Sequence, residues 1–218
     1  MNELIFLFHI IAITISCLLA LRIGKEALIT LIALQAVLAN LFINKEISLF
    51  YLCVTCTDAF AVGSGITLNL LQEYYGKAYT KKAIWISFFA LIFYLIMSQF
   101  QIWYHPIQTG AHEHFAAILS LMPRLIGASI ISYLISQYTD YYIYGILKQK
   151  LHKRFFILRN YGSLLIAQGV DTLIFSFLGL SGVVHHVWHI IGVSYAIKIV
   201  MILIATPLVS FLKKYASK

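Results

Sequence analysis

Seven apolar runs, separated by short polar loops, dominate this chain. They cover Leu4–Leu21, Ala27–Ile43, Ile47–Leu71, Ala83–Trp103, Phe115–Leu147, Tyr161–Leu180 and Val187–Leu212. A membrane-spanning helix needs about 20 predominantly apolar residues, so each run is a candidate span. The fifth run is too long for one simple span. Pro123 breaks it, because proline removes an internal helical hydrogen bond. Residues 115–122 then form an interfacial or half-membrane piece, and the true span begins near Arg124. Composition agrees: charged residues are 11% of 218 positions, against about 25% in soluble domains. So few charges cannot cover a water-exposed surface. The expected fold is all-α, a polytopic transmembrane helix bundle of about six to seven spans, forming one domain over residues 1–218.

Sixteen Lys and Arg against eight Asp and Glu could point to nucleic acid. Their placement argues for lipid instead and excludes a nucleic-acid partner. With the N-terminus outside, the inner loops and C-terminus hold Arg22, Lys25, Lys77, Lys81, Lys82, Lys148, Lys150, Lys153, Arg154, Arg159, Lys213, Lys214 and Lys218. The outer loops hold Lys45 alone. Cytoplasmic loops carry the excess of basic residues, so the expected orientation is N-terminus out and C-terminus in. The first run lacks a basic leading segment and a clear cleavage site, and it is read as a retained helix rather than a signal peptide. The expected location is the cell (inner) membrane.

Charged side chains inside spans cost roughly 2.5–3.5 kcal/mol each on insertion scales. The candidates are Asp58, Asn69, Glu73, Arg124, Gln137, Asp140, Gln168, Asp171 and Lys198. The third, fifth and sixth runs each offer an amide and a carboxylate. Asn69 and Glu73 are one turn apart, as are Gln137 and Asp140, and Gln168 and Asp171; such spacings share a helix face. Asp140 lies roughly 10 Å inside the cytoplasmic end, and Asp171 lies nearer mid-membrane at about 1.5 Å per residue. Facing one another, the three helices would form a polar pocket in the inner half of the bilayer. Carboxylates accept hydrogen bonds, while Gln and Asn both donate and accept. The set suits a ligand rich in N–H donors or positive charge. The bland alternative is mutual neutralisation of Asp140, Asp171, Arg124, Arg159 and Lys198 within the bundle. Lys198 sits too deep to reach the interface easily and requires a carboxylate, with Asp58 or Asp171 the natural partner. Asp58 and Lys198 are candidates for ion coupling.

Other chemistries compete. His185 and His189 stand at i,i+4, a spacing able to bind zinc, and His112 and His114 add two more ligands. A metal-ion carrier using these outer-side histidines is the alternative reading, although the inner half has no matching histidines. Cys53 and Cys56 have CxxC spacing inside an apolar run, which reads better as small buried residues. Gly63-Ser64-Gly65 reads as close helix packing rather than an intramembrane serine nucleophile, which needs a base at its depth. No ATP-binding motif stands in the chain, no cofactor is expected, and the protein is not read as an enzyme.

The stretch Asn69-Leu70-Leu71-Gln72-Glu73-Tyr74-Tyr75-Gly76-Lys77 resembles the D-x-x-x-E-x-Y-G motif of the queuosine-precursor transporter family, a vitamin-uptake-transporter-like group. The likeness continues through Lys81-Lys82-Ala83-Ile84-Trp85, Arg124, Ser129 and Ser136-Gln137-x-x-Asp140. It runs on through Arg159-Asn160-x-x-Ser163, Gln168-x-x-Asp171-Thr172-x-x-Phe175, Lys198 and Thr206-Pro207. It spans roughly residues 45–212. Asn69 stands where the family pattern has aspartate, which removes one negative charge. The resemblance implies import of a 7-deazaguanine base such as preQ0, preQ1 or queuine, to salvage a precursor for tRNA modification. It implies substrate contacts among Asn69, Glu73, Arg124, Gln137, Asp140, Arg159, Gln168 and Asp171. A proton-coupled or facilitated carrier and a substrate-binding subunit of an ATP-driven complex both fit, and self-association is left open.

Overall fold

The computed structural model describes residues 1–43, 45–55, 57–107, 109–119, 123–151, 155–182 and 187–216, without the side chains at 109, 111, 112, 123 and 214–216. The chain is a helical bundle. In order it forms α1 (Asn2–Ile23), α2 (Lys25–Leu41), strands β1 (Glu46–Leu49) and β2 (Leu52–Thr55), α3 (Asp58–Tyr74) and α4 (Lys77–Trp103). Then come α5 (Thr109–Leu119), α6 (Pro123–Lys150), α7 (Phe156–Phe175) with a π-helical extension over Ser176–Leu180, and α8 (Val187–Ala216). By length and composition, α1, α4, α6, α7 with its extension, and α8 can each cross a membrane. Exposed Phe89, Phe93, Trp103, Phe155 and Phe211 on the outside of the bundle would cost heavily in water, at about 25 cal/mol per Å² of apolar area. This is a multi-pass membrane protein.

The break expected at Pro123 borders residues 120–122, which lie outside the described residues; helix is described on both sides of them, over Thr109–Leu119 and from Pro123 onward.

The third expected span, Ile47–Leu71, needs correction. Its first part is an antiparallel hairpin, with Ile47 opposite Val54 and Leu49 opposite Leu52. Alternation turns Leu49 and Val54 inward, leaving Cys53 exposed. The tip, Phe50-Tyr51, has φ of 51° and 63°, the positive pair of a two-residue type I′ turn. Such values cost a non-glycine residue roughly 1–2 kcal/mol each. Contacts from α1 hold the turn: Asn2 Nδ2 donates to the Ser48 carbonyl at 2.8 Å, and Phe50 N–H donates to Glu3 Oε1 at 3.3 Å.

The hairpin leaves α3 with only 17 residues, short of the usual spanning length. It tolerates this because it is the central helix. Every residue from Val62 to Gln72 is buried, with α1, α2, α4, α6, α7 and α8 packed around it. Small residues allow the approach. A Cβ on Gly63 would run into Gln35 and Ile13, and one on Gly65 would stand 2.5 Å from Leu164 Cδ2.

The two ends of the bundle are distinct. Asn2, Glu3 and the hairpin share one end. At the other, Lys25 donates to Tyr79 Oη at 3.1 Å, Lys148 meets Glu73, and Lys213 lies 3.3 Å above the Phe156 ring.

Candidate functional site

Three polar layers are stacked along α3, spanning about 22 Å from Asp58 to Glu73 at 1.5 Å per residue.

The layer at the Glu73 end is an ion cluster. Arg159 of α7, wholly buried, donates from Nη2 to Glu73 Oε1 at 3.0 Å. Tyr144 of α6 donates to Glu73 Oε2 at 2.9 Å, and Lys148 Nζ lies 3.3 Å from the same oxygen. Lys148 also donates to the carbonyls of Gln72 and Glu73 at 2.9 and 2.8 Å. Those are last-turn carbonyls of α3, which have no partner inside their own helix. The cluster ties α3, α6 and α7 together at this end.

The middle layer is neutral apart from Asp140. Asn69 Nδ2 reaches Asp140 Oδ1 at 3.3 Å, Asn160 Oδ1 at 2.8 Å and Ser163 Oγ at 3.1 Å. Gln137 Nε2 donates to Ser64 Oγ at 2.9 Å, and Gln168 Nε2 donates to the Ala61 carbonyl at 3.3 Å. These bonds aim the second polar atom of each side chain. Asp140 Oδ2, Asn69 Oδ1, Gln137 Oε1, Gln168 Oε1 and Asn160 Nδ2 find no hydrogen-bond partner among the described residues, although all five are buried. A buried polar group without a partner costs roughly 1–3 kcal/mol, so five in one layer is a heavy load for packing alone. The missing side chain of Gly65 faces the layer: a Cβ there would stand 3.4 Å from Asp140 Oδ2 and 3.9 Å from Gln168 Nε2. The layer is closed to solvent, with Asp140 2% exposed.

The layer at the hairpin end is a charged triad. Lys198 Nζ lies 2.7 Å from Asp171 Oδ2 and 3.5 Å from Asp58 Oδ1. It also donates to Thr172 Oγ1 at 3.0 Å, and Ser194 donates to Asp58 Oδ2 at 2.9 Å. The deep lysine therefore has both carboxylates named for it as partners.

The structure thus divides the residues expected to share one pocket. Asn69, Gln137, Asp140 and Gln168 meet in the middle layer. Glu73 and Arg159 form the ion cluster one turn away along α3. Asp171 belongs with Asp58 and Lys198 instead. Arg124 joins none of them: exposed at the start of α6, it donates to the carbonyls of Leu178 and Ser181, both at 2.6 Å, where the π-helical segment ends. Tyr144, Ser194 and the role of Lys148 in the site did not stand out in the sequence, because hydroxyls and loop-proximal lysines are ordinary near span ends, and Ser64 was read as a packing residue. Gly65 carried a readable signal, as part of the small-residue run Gly63-Ser64-Gly65, but that run indicated packing alone.

The metal-carrier alternative finds no support. Among the described residues no three His, Cys, Asp or Glu side chains are grouped to hold an ion. His185 and His186 lie outside the described residues, as does the side chain of His112.

A lipid-facing bundle with polar and ionisable groups turned inward from several helices has the form of a membrane transporter. Comparison with known proteins bears this out. Residues 59–212 match a family described as "putative vitamin uptake transporter". The chain is 30% identical over 217 residues, 98% of its length and 95% of the relative's, to a "probable queuosine precursor transporter" of Bacillus subtilis (strain 168). The chain belongs to this transporter family. No solved structure matches it.

Proposed function

We propose that the protein imports a queuosine precursor, a 7-deazaguanine base, across the cell (inner) membrane, with its N-terminus outside and the Glu73 end facing the cytoplasm. The observation that carries the reading is the middle layer: four acceptors, Asp140 Oδ2, Asn69 Oδ1, Gln137 Oε1 and Gln168 Oε1, beside one donor, Asn160 Nδ2, all buried and without a hydrogen-bond partner among the described residues. A guanine-like edge presents adjacent N–H donors beside a carbonyl acceptor, the complement of such a set. The similar Bacillus protein bears a name for the same cargo. Asn69 contributes by holding Asp140 in place rather than by adding a second carboxylate.

Alternating access follows from the closed geometry. A site that is 2% exposed at Asp140 loads only when one end of the bundle opens. The Glu73–Arg159–Lys148–Tyr144 cluster closes the cytoplasmic end, and the triad with the hairpin closes the outer end.

The test is rescue. Cells unable to make queuosine precursors regain modified tRNA when given the base and this protein. A protein normally expressed yet unable to restore modification overturns the substrate. Asp140→Asn and Asp171→Asn variants separate the layers. Wild-type import by a normally expressed Asp140→Asn variant removes Asp140 from the binding site. Asp171→Asn, which removes no side chain of the middle layer, retains binding of the labelled base.

A further inference from the structure

The triad at the hairpin end carries a property that substrate recognition does not use. Two carboxylates and one ammonium leave the cluster at net −1 inside the bundle, and such a charge is expensive away from water unless it is matched. We infer that the Asp58–Lys198–Asp171 triad is the proton-coupling site of the carrier. One proton from the hairpin side binds a carboxylate of the pair, converting it to a carboxylic acid and bringing the triad to neutrality. The proton leaves to the other side when the carrier reopens. No other bond forms or breaks. The inference rests on the reading of the chain as an importer.

Three observations favour a proton site over a static ion pair. First, accessibility is asymmetric: the Lys198 side chain is 3% exposed, while those of Asp58 and Asp171 are 12% and 18% exposed. The carboxylates that would exchange the proton are the less enclosed members of the triad. Second, Lys198 is shared unequally, at 2.7 Å from Asp171 and 3.5 Å from Asp58. Asp58 therefore makes the looser ion pair, supported mainly by the Ser194 hydroxyl at 2.9 Å, and is the carboxylate placed to take the proton. Third, the triad is wired to the substrate layer. Gln168, one turn before Asp171 on α7, reaches the Ala61 carbonyl, one turn after Asp58 on α3. Thr172, a ligand of Lys198, donates to the Gln168 carbonyl at 2.9 Å. A change of spacing between Asp58 and Asp171 on protonation is thereby transmitted to Gln168.

The neighbouring groups are few. Toward the triad, α7 contributes Asp171 and Thr172, α8 contributes Lys198 and Ser194, and α6 contributes Tyr133, whose hydroxyl donates to Ser87 of α4 at 2.7 Å. From α1 comes His9, its ring edge-on to Phe60 with centroids 4.9 Å apart. The hairpin brings Cys53, turned outward to Glu46. The only titratable residues of α2, Lys25 and Glu26, stand at the far end.

Purified protein in liposomes tests the inference with tritiated preQ0 as probe. An outside-acid pH gradient raises the uptake rate of the wild type at least tenfold over gradient-free exchange, and a protonophore removes the gain. In Asp58→Asn the ratio of gradient-driven uptake to exchange falls to about one. Asp171→Asn is the second variant, and its ratio falls likewise. Equal wild-type rates with and without the gradient overturn the proposal, as does stimulation by a sodium gradient in its place. A substrate-free readout separates this failure from failure of the cargo assignment. Infrared difference spectra between acid and alkaline buffer show a protonated carboxyl band that Asp58→Asn removes. A band unchanged in both Asp variants, or absent from the wild type, overturns the coupling site whatever the cargo proves to be.

Discussion

Gly65→Ala separates binding from packing better than any change to a polar side chain. The added methyl would stand 2.5 Å from Leu164 Cδ2 and 3.4 Å from Asp140 Oδ2. The first contact is with the end of a flexible side chain, and overpacking of this kind costs about 1–3 kcal/mol. Replacing glycine with alanine within a helix returns about 1 kcal/mol. The net loss is about 0–2 kcal/mol, or at most ~8 °C in melting temperature at about 2–4 °C per kcal/mol for a chain of this size. Transport is affected more. The methyl occupies the ground in front of Asp140 Oδ2 and Gln168 that a bound base must reach. Loss of a hydrogen bond to a charged group, worth about 1.5–3 kcal/mol, lowers binding roughly 10–100-fold. The assay is uptake of labelled preQ0 together with the melting temperature of the detergent-purified protein. Gly63→Ala is the control. Residue 63 faces away from residue 65 on the helix, and its methyl would meet Gln35 and Ile13, not Asp140. Normal uptake by a folded Gly65→Ala variant refutes the site. Equal loss of uptake in a folded Gly63→Ala variant refutes the claim that the effect is local to Asp140.

Glu73→Ala removes the carboxylate that pairs with the wholly buried Arg159 and accepts from Tyr144. Breaking a buried pair costs about 3–5 kcal/mol, so the melting temperature falls by roughly 6–20 °C at about 2–4 °C per kcal/mol; a shift below 2 °C would show that the cluster does not hold this end closed. The hairpin is checked by thiol labelling with a membrane-impermeant maleimide. Exposed Cys53 reacts from outside the cell and buried Cys17 does not. The hydrogen bond from Cys53 to Glu46, and the nearby carboxylate charge, push this thiol above its ordinary value. Its thiolate therefore appears only at higher pH than that of a free cysteine, and Glu46→Gln moves the labelling profile toward neutral pH. Labelling of Cys53 only from the cytoplasmic side reverses the orientation.

The helices that face lipid were legible because length and hydrophobicity determine them almost alone. The hairpin was not: Ile47 to Thr55 is as apolar as a span, and a short apolar run does not declare its period. Its alternation of Leu49 and Val54 against Ser48 and Cys53 was visible but was outweighed by the run of hydrophobic residues after it. For the site, i,i+3 and i,i+4 spacing correctly put Gln137 beside Asp140 on α6. It could not say how α7 is rotated and shifted against α3. That docking places Gln168 with Asp140, yet delivers Asp171, one turn further along the same face, to Lys198. Arg124 shows the same limit, since its partners on the π-helical segment lie more than fifty positions away in sequence.

Stability alone gives no reason for these polar layers. Buried ion pairs can often be replaced by apolar residues of similar volume without loss, and a bundle of this size would pack readily around leucine. The middle layer is costlier still, since several of its polar atoms remain unsatisfied by the protein. Those costs are confined to the helices surrounding α3, while the lipid-facing surfaces stay apolar. Such a distribution is what solute passage requires: a polar route shielded from lipid, closed by charge at both ends, with its least satisfied groups midway. The short central helix fits the same logic. Shielded by its neighbours, α3 need not match the bilayer thickness, so it can carry Asp58, Asn69 and Glu73 at three levels, those at which the proposed recognition and closure would take place.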